Sequence, residues 1–117
     1  MDNNLIVYKS FQFAVRTVNL YKILSSERKE FTLSKQLLRS GTSIGANVAE
    51  AQHAQSRPDF LAKLSIALKE TAESKYWIQL LLATHYLSDI EAASILRDCI
   101  ELEKILVSIV KKLKLHS

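Results

Sequence analysis

The stretch RSGTSIGANVAEA, residues 39–51, contains both glycines of the 117-residue chain and decides what kind of fold is expected. Gly41 and Gly45 interrupt a sequence with helical periodicity, and a glycine inside a helix costs roughly 1 kcal/mol relative to alanine. A phosphate-binding loop would require a preceding strand and a suitably placed lysine, and the sequence offers neither. Because residues four apart share a helix face, Gly41, Gly45 and Ala49 predict a strip with almost no side chains that a neighbouring helix approaches closely.

The composition favours a few long helices. Two glycines and one proline are too few turn residues for a sandwich or a βαβ fold. The lone Cys99 excludes an intramolecular disulfide and fits a cytoplasmic location. The apolar stretches are far shorter than the ~20 residues of a membrane span, so no membrane association is expected. A net charge of +4 permits contact with nucleic acid or anionic lipid without requiring it.

Four segments have the apolar spacing of helices. They are expected at residues 4–24, from a start between 27 and 34 to about 54, at 58–84 and at 89–113. Ser25 and Ser26 are expected to end the first helix and cap the second, Ser56 to cap the third, and Ser88 with Glu91 to form a capping box for the fourth. Short loops between helices of similar length predict a single all-α domain over residues 1–117, an antiparallel up-down-up-down four-helix bundle.

The apolar stripes are wider than a bundle core requires. The first helix is expected to bury Ile6, Phe13 and Leu20 together with a second set at spacings of three and four: Tyr8, Phe11, Val15 and Val18. Further apolar residues lie off that seam, and Tyr76, Trp77 and Leu80 widen the stripe of the third helix. Exposed apolar surface of this size predicts self-association; the alternative is a generous core with scattered surface apolar residues.

Few residues of the chain suggest catalysis or metal binding. Glu50 and His53 have the Glu-x-x-His spacing of a di-iron bundle, but such a centre needs two of these motifs and further glutamates. Lys69, Glu70 and Glu73 suggest ion pairs between helices rather than catalysis, since no nucleophile accompanies them. Cys99 lies on the core stripe of the fourth helix, where cysteine acts as a small apolar residue. We therefore expect no catalytic residue, no metal and no cofactor.

Basic residues are the candidate ligands for nucleic acid. They occur early in the second helix, near the start of the third and at the end of the fourth: Arg28, Lys29, Lys35, Arg39, Arg57, Lys63, Lys111 and Lys112. No helix-turn-helix, zinc-finger or RRM signature is present, so binding would depend on phosphate contacts and on salt. On this basis Arg39→Glu is expected to weaken binding without unfolding the bundle.

Residues 43–81, SIGANVAEAQHAQSRPDFLAKLSIALKETAESKYWIQLL, resemble the signature of the "four helix bundle protein" family, also called the 23S rRNA intervening-sequence protein family. The positions that match its pattern are Ser43, Ile44, Ala46, Asn47, Val48, Glu50, Asp59, Phe60, Lys63, Ile66, Ala67, Lys69, Glu70, Glu73 and Trp77. The resemblance implies an antiparallel bundle, commonly a homopentameric ring. Relatives include basic pentameric accessory proteins of diversity-generating retroelements, which bind RNA and reverse transcriptase.

Three functions are therefore compatible with the sequence. The first is a non-enzymatic, cytoplasmic homo-oligomer, with a pentamer favoured, that binds RNA through a basic surface. The second is a protein-binding scaffold whose basic surface is incidental. The third is a metal-dependent enzyme built on Glu50, His53, Glu70 and Glu73.

Overall fold

The chain folds as an up-and-down bundle of four helices. A computed structural model describes residues 4–116, with helices α1 (Asn4–Ser26), α2 (Leu33–Ala51), α3 (Arg57–Ala83) and α4 (Asp89–Leu115). Each helix packs against its neighbour in the chain, and α1 closes the bundle against α4, giving a rod of 46 × 21 × 20 Å. The predicted all-α four-helix bundle is confirmed. No helix in this part of the chain is long and apolar enough to cross a membrane.

Capping side chains define two helix starts. The Ser56 hydroxyl accepts a hydrogen bond from the backbone N–H of Asp59 at 3.2 Å. Ser88 and Glu91 form the reciprocal capping box at the start of α4, with distances of 2.9 and 3.2 Å between side chain and backbone. Both predictions are confirmed, because these side chains satisfy N–H groups that a helix leaves unpaired in its first turn.

The predicted cap at Ser25 and Ser26 is wrong, although α1 does end there as expected. Helix α1 continues through Ser26, and both hydroxyls donate to carbonyl oxygens of the preceding turn, that of Ser25 to Tyr21 at 2.7 Å and that of Ser26 to Lys22. A serine at a helix end can bond backward to the i−4 carbonyl as well as forward to an amide. Here both bond backward, so neither caps α2.

Glu30 caps α2 instead. Its buried carboxylate accepts hydrogen bonds from the backbone N–H groups of Ser34, Leu33 and Thr32 at 2.6, 3.0 and 3.1 Å. Burial by itself would raise the pKa of Glu30, but the three backbone N–H groups outweigh it and hold the pKa below its usual value. An ionised carboxylate at a helix N-terminus also complements the helix dipole.

The buried face of α1 differs from the predicted one. Ile6, Phe13 and Leu24 are buried, but the face is completed by the small polar residues Ser10 and Thr17. The second predicted set is largely on the outside, with Tyr8, Phe11 and Val15 exposed. This correction has a physical reason: the side of α1 that faces α2 contacts glycines, and only small side chains fit there.

The two glycines lie in the contact between α1 and α2. A Cβ atom added at Gly41 would lie 2.5 Å from Thr17 Cγ2, and one added at Gly45 would lie 3.1 Å from the carbonyl oxygen of Ser10. Thr17 is held in place by a hydrogen bond from its hydroxyl to the Ala14 carbonyl at 2.9 Å. The glycines therefore allow the two helices to approach more closely than any side chain would permit.

Candidate nucleic-acid interface

Arg39 meets three residues of the sequence motif between α2 and α3. The Arg39 guanidinium forms an ion pair with Glu73, and its Nη1 lies 3.5 Å from Oε2 of Glu70. The indole N–H of Trp77 donates to Oε2 of Glu73 at 3.1 Å. The Trp77 hydrogen bond is the main cause of the lowered pKa of Glu73, and Arg39 lowers it further. Arg39 is thus neutralised within the protein and is a poor ligand for phosphate.

Glu70 is the most confined carboxylate of this group. The residue is 7% exposed, and within residues 4–116 its Oε2 atom has no hydrogen-bond partner. Its contact with Arg39 is therefore ionic rather than a hydrogen bond. Because a buried charge without compensation is costly, Glu70 requires the positive charge of Arg39.

The remaining motif residues also make internal contacts. Lys63 Nζ lies 3.2 Å from Glu50 Oε1 and joins α3 to α2. The Asn47 side-chain amide donates to the backbone carbonyl of Ser43 at 2.9 Å and to its hydroxyl at 3.3 Å, so its partners come from α2 itself rather than from a neighbouring helix. Lys69 is exposed on α3 and contributes to the low pKa of Glu73. The Lys63–Glu50 pair thus connects α3 to α2, and the Asn47 hydrogen bonds hold that side chain against its own helix.

The residues considered for a metal-dependent enzyme do not come together. Glu50 lies with Lys63, whereas Glu70 and Glu73 lie with Arg39. His53 is exposed in the turn that follows α2. Across residues 4–116 no three His, Cys, Asp or Glu side chains are grouped so that they could hold a metal ion.

Cys99 is buried, and its thiol is unreactive. Its thiol donates to the backbone carbonyl of Thr71 at 3.4 Å, and burial raises its pKa to about 12. A thiol that does not ionise near neutral pH is a weak nucleophile. Cys99 therefore fills the core between α3 and α4.

Arg28 is the third predicted nucleic-acid ligand with an internal partner. Its guanidinium donates to both carboxylate oxygens of Glu91, at 2.9 and 2.6 Å, and to the Tyr86 carbonyl at 2.7 Å. The hydrogen bonds from Arg28 are the main reason that the pKa of Glu91 falls to about 2. The pair connects the α1–α2 loop to the start of α4.

The predicted basic residues therefore divide into two groups. Arg28, Arg39 and Lys63 are neutralised by carboxylates. The others are exposed and form no ion pair with another described residue: Lys29, Lys35, Arg57, Lys111 and Lys112.

The carboxylates in the middle of α4 are all paired with other helices. Asp98 pairs with Arg16 at 2.7 Å and Glu101 with Lys9 at 3.0 Å, both on α1. Glu103 pairs with a lysine of α3 at 3.1 Å. Each of these carboxylates is thus paired with a flanking helix, and Asp98 and Glu101 also line a surface pocket beside Arg97 and Lys104.

Three cations lie on the outer face of α4. Arg97, Lys104 and Lys111 are exposed, recur every seven residues, and make no ion pair with any residue between 4 and 116. Because seven residues are close to two helical turns, they form one line, which we call the α4 cation row. Sequence reasoning identified only Lys111 and missed Arg97 and Lys104, although the seven-residue spacing was available to it.

An apolar surface covers the outside of α1. Tyr8 and Phe11 are each 63% exposed, and Val15 is 40% exposed. The three residues are spaced by three and four and so share one side of the helix. We call them the α1 apolar face. Surface of this kind usually marks a contact with another protein.

Comparisons with known proteins agree with the fold. Residues 2–108 match the family model described as 23S rRNA-intervening sequence protein. A similar solved structure is that of a protein with unknown function from the S23 ribosomal protein family of Bacteroides thetaiotaomicron VPI-5482. It shares 56% sequence identity, the alignment covers 95% of this chain and 99% of that one, and the TM-score is 0.93. No curated protein matches the chain.

Proposed function

The chain belongs to the 23S rRNA-intervening sequence protein family, and from that premise we propose that it is a non-enzymatic, cytoplasmic protein that self-associates and binds RNA through the α4 cation row. The observation that carries the RNA proposal is the separation of charge on α4. The carboxylates of its middle turns form ion pairs with α1 and α3. The cations of the row form no ion pair with a described residue.

Unpaired cations are what binding to a polyphosphate requires. A lysine or arginine that contacts a phosphate displaces condensed counterions from the nucleic acid, and this release drives binding. A cation that already has a carboxylate partner must first break that pair. The cations of the α4 cation row are therefore expected to bind phosphate more readily than Arg28, Arg39 or Lys63, which are already paired.

Self-association is proposed to use the α1 apolar face, with a second copy of the chain as its partner. Burial of exposed aromatic and aliphatic surface is favourable by about 25 cal/mol per Å², and the face carries Tyr8, Phe11 and Val15 on the side of α1 away from the core. The family resemblance favours a pentamer. A protein-binding scaffold, the second candidate, would use the same face for a different protein.

Neutralising the α4 cation row should weaken RNA binding. By counterion release, each phosphate contact contributes about tenfold in affinity at about 50 mM salt. The triple variant Arg97→Gln, Lys104→Gln, Lys111→Gln is therefore expected to bind a structured RNA hairpin at least about tenfold more weakly than the wild type, and up to about a thousandfold if all three cations make contacts. Gel-shift titration at low salt measures the difference.

A matched control removes the same charge elsewhere. The variant Lys22→Gln, Lys29→Gln, Lys35→Gln changes three exposed lysines of α1, the α1–α2 loop and α2. We expect this control variant to bind the RNA hairpin more tightly than the α4 triple variant does. A larger loss of RNA affinity in this control than in the α4 triple variant would place the interface at the α1–α2 end of the bundle. If the wild-type protein shifts no RNA in the gel, the proposal is rejected.

A charge on the α1 apolar face should prevent assembly. Phe11→Glu places a carboxylate in the proposed contact, where burial of an unpaired charge is strongly unfavourable. Light scattering should give several times 13.3 kDa for the wild type and a smaller mass for Phe11→Glu. Gln12→Glu, a neighbouring exposed position, adds the same charge without removing apolar surface and should assemble normally. A monomeric wild type would contradict self-association.

A further inference from the structure

The surroundings of the α4 cation row indicate what form of RNA it fits. The cations lie along one continuous helix, Asp89–Leu115, and seven residues advance a helix by about 10.5 Å. The row is therefore straight, spans about 21 Å from Arg97 to Lys111, and is held on a rigid element. A rigid row of charges suits a partner whose phosphates are also held at fixed positions.

The row carries no aromatic side chain. Helix α4 contains no Phe, Tyr or Trp, and the exposed residues between its cations are Ile100, Glu101, Val107 and Ser108. Proteins that bind single strands combine cations with aromatic side chains on which the unpaired bases stack. The α4 surface lacks that second component.

The exposed aromatic residues of α1 do not supply it. Tyr8 lines a small cavity between α1 and α4 together with Asp98 and Glu101. Asp98 and Glu101 also line the neighbouring pocket that contains Arg97 and Lys104. Their ion pairs with α1 therefore lie between Tyr8 and the cation row. A strand whose phosphates follow the cation row would have to cross these ion pairs to stack a base on Tyr8.

From this arrangement we infer that the α4 cation row binds base-paired RNA, in preference to a single strand, through backbone phosphates and without reading the base sequence. The inference rests on the proposed function. An A-form duplex presents phosphates on both sides of a wide, shallow minor groove, and a protein recognises it mainly by shape and backbone contacts. A duplex also has a higher charge density and releases more counterions per contact than a single strand does.

The test compares three RNA probes of equal strand length: two perfectly paired duplexes of unrelated sequence, and single-stranded oligouridine, which has no stable structure. The two duplexes should bind the full-length protein with the same affinity within about twofold, and oligouridine about fivefold more weakly at about 50 mM salt, from the difference in counterion release for three contacts. The α4 triple variant should lose this preference, and the Lys22, Lys29, Lys35 variant should keep it.

The outcomes separate the two proposals. Oligouridine binding as tightly as the duplexes, or a difference of about tenfold or more between the duplexes, would overturn the preference for paired RNA while leaving RNA binding in place. Absence of binding to all three probes at low salt would reject the proposed function itself.

Discussion

Gly45→Leu should markedly destabilise the bundle. The leucine Cβ would lie 3.1 Å from the Ser10 carbonyl oxygen and 3.4 Å from its carbonyl carbon. These are backbone atoms inside α1 and cannot rotate away. Overpacking of this kind typically costs about 1–3 kcal/mol or more, which exceeds the gain of roughly 1 kcal/mol in helix propensity. Because each kcal/mol shifts Tm by about 4 °C in a domain of this size, thermal unfolding should show a clear fall.

The control is Ala49→Leu. The sequence placed Ala49 on the same strip, one turn beyond Gly45, but the residue is exposed. A leucine there meets solvent rather than α1. Its Tm should stay within about 2 °C of the wild type, since surface substitutions usually change stability by less than about 0.5 kcal/mol. Equal melting temperatures for Gly45→Leu and the wild type, at the same protein concentration, would show that α1 and α2 do not approach closely.

Gly41 allows an independent check of the same contact. Its added Cβ would lie 2.5 Å from Thr17 Cγ2, so Gly41→Ala should also destabilise. Thr17→Ser removes that methyl group and keeps the hydroxyl. In the Thr17→Ser background, Gly41→Ala should therefore destabilise less, because the 2.5 Å contact is removed while those with Oγ1 and Cβ at 3.0 and 3.1 Å remain. A double-mutant cycle measures this coupling.

Arg39→Glu is the second substitution with a large expected effect. It would place a third carboxylate beside Glu70 and Glu73 and remove the cation that compensates the buried Glu70. Breaking a buried pair costs about 3–5 kcal/mol, whereas an exposed pair contributes about 0–1 kcal/mol. The Arg39 side chain is 54% exposed and that of Glu70 9%, so we expect a loss of about 2 kcal/mol.

This result would reverse the interpretation drawn from the sequence, in which Arg39→Glu weakens RNA binding and leaves the fold intact. The control is Lys35→Glu, which makes the same change of charge one turn earlier on α2 at an exposed residue without an ion pair among those described. Urea unfolding should show a lower midpoint for Arg39→Glu and little change for Lys35→Glu. Equal midpoints would mean that the Arg39 ion pairs do not stabilise the protein.

The sequence predicted those features that depend on local signals. Ser56 and the Ser88–Glu91 box act within one helical turn, so their sequence pattern is enough to locate two helix starts. The spacing of Gly41 and Gly45 places both on one side of α2 whatever the partner helix is. The four-helix bundle follows from such signals together with short loops.

Features that depend on distant pairing could not be predicted. Arg28 and Glu91 are 63 residues apart, and Arg39 and Glu73 are 34 apart; no local pattern shows which cations will be neutralised. The exposure of Tyr8 and Phe11 also depends on tertiary packing, since α1 turns its small residues toward the glycines of α2. The α4 cation row has a regular spacing that the sequence shows. That its cations are unpaired among the described residues follows only from the tertiary structure, in which the carboxylates of α4 pair with α1 and α3.

The central claim, that unpaired cations on α4 contact RNA phosphates, is tested most directly by the salt dependence of the dissociation constant for one RNA duplex. Three contacts per protein predict that the logarithm of the association constant falls with the logarithm of salt concentration with a slope of about −3 or steeper. Replacing Arg97, Lys104 and Lys111 together by glutamine should make this slope shallower by about 3. A wild-type affinity that does not change with salt, or a slope that the triple variant leaves unchanged, would contradict the claim.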